Sequence, residues 1–157
     1  MLIILGAGFY LLTNNLIPHM ITKIELDFAT LEFHDKIVVG TIYEGVDLSQ
    51  EQGGEIFKMI RQQFGDAPYV LISNRKHSFS FNPFMHNELA NKQPNLKGFA
   101  VVARTPVQRM NFAIEQMFIK IPSGYFSNLK DAKSWAKRQL ALHPNTQESA
   151  RSIQNDR

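Results

Sequence analysis

Apolar and polar positions alternate from the twenties onward: Ile24, Leu26 and Phe28 are interleaved with Lys23, Glu25 and Asp27. A period of two is the mark of a strand with one buried face. Leu31 and Phe33 continue on one face, His34 and Asp35 make a turn, and residues 37–43 form the next strand, so the chain begins as an antiparallel meander. The period then becomes helical. Ser49 and Gln52 have the spacing of a capping box, Ile56, Phe57, Ile60 and Phe64 supply a buried stripe, and Gly65 ends the helix.

The second half repeats strand and helix in turn. Residues 69–72 are a short apolar strand, and Asn82 followed by Pro83 opens a short helix carrying Phe84, Met85, Leu89 and Ala90. Residues 99–103 (FAVVA) read as a strand buried on both faces. Thr105 and Gln108 form a second capping box with a proline just inside it. The helix they open places Val107, Met110, Ile114, Met117 and Phe118 on one face, which is expected to be its buried stripe. Residues 123–126 form a last strand, and Leu129, Ala132, Trp135, Ala136 and Leu140 line the inner face of a final helix.

The predicted order is β-β-β-α-β-α-β-α-β-α. It implies an α/β fold: a mixed sheet with an antiparallel start and parallel inner strands, packed with about four helices. The domain is expected over residues 21–142, with an apolar extension before it (1–20) and a polar, aperiodic tail after it (143–157) that is expected to fray. Gly53 and Gly54 stand out in the first turn of a helix, where each costs about 1 kcal/mol relative to alanine. Close packing against the sheet accounts for them; the functional alternative is access for a ligand or a partner's backbone.

Composition narrows the class. At 157 residues, 44% hydrophobic and 20% charged, the chain fits one soluble globular domain. The absence of cysteine excludes disulfides, thiolate metal sites and cysteine nucleophiles, and it fits a cytoplasmic location. The net charge of +3 hides an asymmetry, since residues 1–70 carry 4 Lys/Arg against 9 Asp/Glu and residues 71–157 carry 13 against 5. The basic residues are scattered and form no stripe interleaved with aromatics, so nucleic acid is not an expected partner. Residues 2–12 are strongly apolar, but a membrane helix needs about 20 such residues, and neither a basic leader nor a cleavage site accompanies them. They are expected to be an accessory element, or sequence upstream of a natural start at Met20, ahead of a membrane anchor.

Candidate chemistry concentrates in residues 69–86, where an apolar strand empties into a serine-rich loop. In open α/β sheets ligands gather beyond the carboxyl ends of the strands. Arg75 is the local cation; Phe79 and Phe81 alternate with Ser78 and Ser80. The plain reading tucks the phenylalanines inward and leaves the serines to water. The functional reading makes the aromatics the lip of a pocket. His77 and His86 flank the loop without metal-binding spacing and are expected at the surface; no metal or cofactor is expected. No nucleophile elbow is present, although distant residues could still assemble a serine–histidine hydrolase or transferase.

Three stretches, YVLISNRKHSFSFNP (69–83), KGFAVVARTPVQRMNFAIEQMFI (97–119) and GYFSNLKDAKSWAKRQL (124–140), together resemble the STAS-like fold in its SpoIIAA-like branch of small bacterial STAS/SEC14-type proteins. The resemblance implies a non-catalytic, regulatory or ligand-binding domain. Its partner would be another protein or a small apolar or anionic molecule. The expected working surface is the ends of strands 69–73 and 99–104 with the loop to Asn82, where Asn74 and Arg75 would fix polar or anionic groups, Phe79, Phe81 and Phe84 would supply apolar contact, and Ser78, Ser80 and Arg104 complete the set. By position the resemblance places Ser78 or Ser80 nearest to the phosphorylated residue of anti-sigma-factor antagonists. The antagonists' acidic–Ser/Thr–small motif is absent, because phenylalanines occupy the alternate positions here.

Overall fold

The computed structural model describes residues 22–144 and, ahead of them, the backbone of two strands, β1 (Leu2–Leu5) and β2 (Gly8–Leu11). Met20, proposed above as a start, and residues 145–157 of the polar tail lie outside the described residues. Strands β3 (Thr22–Glu25), β4 (Ala29–His34) and β5 (Ile37–Ile42) form the expected antiparallel meander, which the β1–β2 hairpin extends through β2–β3 pairing. The first strand is shorter than its alternation predicts. It ends at Glu25, and the chain turns through 26–28 with the Leu26 N–H bonded to the Ala29 carbonyl, so Leu26 and Phe28 reach the core from a turn.

A two-residue strand, β6 (Asp47–Leu48), precedes helix α1 (Gln50–Phe64). Strand β7 (Tyr69–Asn74) then lies parallel to β5. A second short strand, β8 (Ser80–Phe81), pairs with β6 in a small parallel ribbon that the pattern of residues did not announce. A 3-10 turn (Pro83–Glu88) leads into a single turn of helix, α2 (Leu89–Lys92). Strand β9 (Leu96–Val102), helix α3 (Pro106–Glu115), strand β10 (Ser123–Phe126) and helix α4 (Leu129–Ala141) complete the chain. The main sheet runs β1-β2-β3-β4-β5-β7-β9-β10, antiparallel up to β5 and parallel from β5 to β10, the mixed sheet expected.

Both expected capping boxes form, at Ser49/Gln52 and Thr105/Gln108, and Asn82 caps the turn that Pro83 opens. The inner strands β7 and β9 are buried on both faces and divide the core in two. Val70, Ile72, Ala100 and Val102 meet α4 through Ala132, Ala136 and Trp135. Tyr69, Leu71, Phe99 and Val101 point the other way, toward α1 and α3.

Helix α3 does not bury the stripe expected of it. Val107, Met110, Ile114 and Met117 are 51–79% exposed, and Phe118 is half-buried against Phe84 at 4.9 Å. The buried positions are Phe112 and Glu115, on the other side of the helix. Glu115 has a non-local partner there, Arg75. Among the described residues no helix is long and apolar enough to cross a membrane.

Candidate functional site

Between the sheet, helix α1 and the 83–92 segment lies a cavity of about 430 Å³. Its floor is the sheet face carrying Leu31, Gly40, Leu71 and Phe99. Helix α1 contributes Ile56, Phe57 and both glycines, and the opposite wall comes from Met85, His86 and Leu89. The rim is open to water, where Gly54, Phe84, Asn87, Glu88 and Lys92 are exposed, the last two joined by an i,i+4 ion pair. The glycines of α1 now have distinct roles. A Cβ at Gly53 would sit 2.9 Å from the Met85 methyl, so that glycine admits the 3-10 turn, not the sheet as expected; a Cβ at Gly54 would meet nothing within 4 Å.

The inner end of the cavity is polar and is set by the alternation of β7. Leu71, Ser73 and Arg75 follow one another on the cavity face. The Arg75 N–H donates to the Val102 carbonyl, continuing the ladder past the end of β7, and the Gln108 side chain donates to the Arg75 carbonyl at 3.0 Å. The backbone of Arg75 is thereby held by β9 and by the capping box of α3 together. Its guanidinium, only 7% exposed, donates through both terminal nitrogens to the two carboxylate oxygens of Glu115, each at 2.7 Å. His86 Nε2 lies 3.3 Å from the same carboxylate. Phe79, Phe81 and Phe112 surround the guanidinium with ring centroids 5.6–6.0 Å from Cζ, a cation–π cage for a charge removed from water.

The Glu115 carboxyl is pulled two ways. Burial pushes its pKa up, but the hydrogen bonds to His86 and Arg75, with the Arg75 charge, outweigh that and hold it below the ordinary value. Glu115 is therefore ionised at neutral pH, and the bidentate pair with Arg75 is a true ion pair.

The eight residues expected at the working surface separate into three groups. Arg75, Phe79, Phe81 and Phe84 converge on the cavity. Phe79 and Phe81 stack at 5.9 Å and are half-buried, and both line the cavity. Asn74 and Arg104 instead bond each other, at 2.9 Å, beside the site. Ser78, in the loop before β8, and Ser80, on the β6–β8 ribbon, are exposed; the Ser78 N–H donates to Glu44 and the Ser80 hydroxyl donates to Asp47, both at 2.8 Å.

Two residues were missed. His86, expected at the surface, is buried, with its ring against Phe81 and Phe99 at 5.3 Å each. Glu115 was hidden by the more apolar stripe on the opposite face of α3. A buried i,i+3 pair of Phe112 and Glu115 is visible in the sequence only to a reader who already pairs Glu115 with Arg75, forty residues earlier. His77 stays exposed, 3.9 Å from Glu44 and bonded to no serine hydroxyl among the described residues. No group of three or more His, Asp or Glu among the described residues could hold a metal ion.

No protein-family model matches the sequence, and no curated protein matches it. Among solved structures, the chain is similar to an uncharacterized protein from the DUF3478 family with a SpoIIAA-like fold, from Shewanella loihica PV-4. The likeness covers 79% of this chain and 98% of that one, at 13% identity and a TM-score of 0.49.

Proposed function

We propose that this domain is a non-catalytic binding module for a small, mainly apolar molecule. The observation that carries the reading is the cavity itself: about 430 Å³, walled by Leu31, Ile56, Phe57, Leu71, Met85 and Phe99, and ending at a buried, caged arginine. Its size and its mix of apolar walls with few polar groups are those of small-molecule sites, which run from about 300 to 1,000 Å³. An apolar occupant would replace water against these walls, removing their apolar surface from solvent.

Gly54 supplies the test. It lies at the mouth with no atom near the place of its Cβ, so Gly54→Phe obstructs entry while improving helix propensity by a few tenths of a kcal/mol. The uncharged fluorophore N-phenyl-1-naphthylamine is expected to bind the wild type and to bind Gly54→Phe at least about tenfold more weakly, with the melting temperature of the variant unchanged or raised. Native mass spectrometry of protein from its own host should show a bound small molecule. Absence of fluorophore binding, or equal binding to the variant, refutes the reading.

A further inference from the structure

We infer that the cavity selects ligands whose polar group is uncharged, and that Glu115 is the residue that sets this preference. The inference rests on the binding role proposed above and names the chemical class of what enters.

An arginine at the end of an apolar pocket ordinarily signals an anionic ligand, because a guanidinium offers a carboxylate both charge and a matched pair of donors. Here both offers are already taken. The two terminal nitrogens of Arg75 are bound by the two oxygens of Glu115 at 2.7 Å, and the charges cancel within the pair. The remaining donor, Nε, is sealed from water and has no hydrogen-bond partner, lying within the cage of Phe79, Phe81 and Phe112. His86 directs Nε2 to the same carboxylate. The other charged residues of the lining, Glu88 and Lys92, are exposed at the rim and paired with each other.

A ligand carboxylate seated at the inner end would thus give up its hydration and gain no free cation, because Glu115 already neutralises the Arg75 charge. Burying a charge without a partner is far more costly than burying a neutral dipole. An amide, ester, ketone or alcohol avoids that cost. It can still find polar groups on the wall, namely the half-buried Ser73 and the Asn82 amide, whose oxygen caps the 3-10 turn and whose NH₂ remains a donor.

The test uses a pair of probes of one shape, 2-naphthamide and 2-naphthoate, competing with N-phenyl-1-naphthylamine at pH 8, where the naphthoate is ionised. The amide is expected to displace the fluorophore at a concentration at least about tenfold lower than the carboxylate. In Glu115→Gln, which leaves the Arg75 charge uncompensated, that ratio should fall about tenfold or invert. Equal or tighter binding of naphthoate to the wild type overturns the inference while leaving the binding role intact, and so does failure of both probes to compete with a bound fluorophore. An unchanged ratio in Glu115→Gln overturns the part assigned to Glu115. Absence of fluorophore binding sinks the binding role and this inference together. The wild-type comparison stands if the variant does not fold.

Discussion

Removing one member of the Arg75–Glu115 pair should be far more damaging than removing both. The two side chains are almost fully buried, at 7% and 5% exposure, so solvent screening offers little relief to a charge left alone. Glu115→Leu strands the guanidinium among three phenyl rings and leaves His86 without its carboxylate; Arg75→Met strands the carboxylate. Each is expected to cost about 3–5 kcal/mol. For a domain of this size that lowers the melting temperature by roughly 10 °C. The double variant Arg75→Met/Glu115→Leu replaces the pair with apolar groups of similar volume and should fall within about 1–2 kcal/mol of the wild type, on either side. Urea denaturation of the four proteins at pH 7, analysed as a double-mutant cycle, gives the coupling directly, provided the slopes agree. A Glu115→Leu variant within about 1 kcal/mol of wild type would show that the carboxylate is not buried against the guanidinium. Additive single effects would refute coupling between the two buried charges.

The same carboxylate predicts a pH dependence. Its folded pKa lies below the ordinary 4.5, so its contribution to stability is complete above that value and is lost as pH falls through the lowered one; urea midpoints between pH 5 and pH 3 should drop more in the wild type than in the double variant. On α3, Met110→Ser should change stability by less than about 0.5 kcal/mol and Phe112→Ala should cost about 3–5 kcal/mol, by thermal melts, the reverse of what the apolar stripe alone predicts. A Cβ at Gly98 would lie 2.9 Å from the Trp135 ring, so Gly98→Ala should cost about 1–3 kcal/mol and red-shift the emission of this single tryptophan as the ring is displaced toward water.

What could be read from the sequence was local. Ser49 with Gln52, Thr105 with Gln108, and Asn82 with Pro83 act over three residues or fewer, and all three caps form. The apolar run of β9 and the alternation of β4 report burial on two faces and on one, and so they separate a strand covered by helices on both sides from a half-exposed one. The site was legible only where a residue's own neighbours determine its direction, as at Arg75, two positions beyond Ser73 and four beyond Leu71 on the same face. Helix α3 shows where this fails. Val107, Met110, Ile114 and Met117 make a cleaner stripe than Phe112 and Glu115, yet they face water. The face turned inward carries Phe112 and an ion pair formed across forty residues, and hydrophobic periodicity contains no term for that pair. His86 was misjudged for the same reason, since its burial depends on Phe81, Phe99 and Glu115 arriving around it.

The two faces of the sheet are closed to different degrees, and the difference has a single source in the connections. Over the Val70–Val102 face one helix of 13 residues, α4, lies so close that only a glycine fits beneath Trp135. Over the opposite face the connection from β7 to β9 has no helix of comparable length; it spends its residues on the β8 ribbon, a 3-10 turn and one turn of α2. Such a connection cannot present a continuous apolar stripe to the sheet, so a gap remains beside α1. The side chains best placed to reach into that gap are Phe79 and Phe81, and they cover the guanidinium before they fill the space. The cavity and the caged ion pair therefore both lie where this one connection lacks a long helix. A longer helix in place of α2 would be expected to close both, giving greater stability and no room for a ligand.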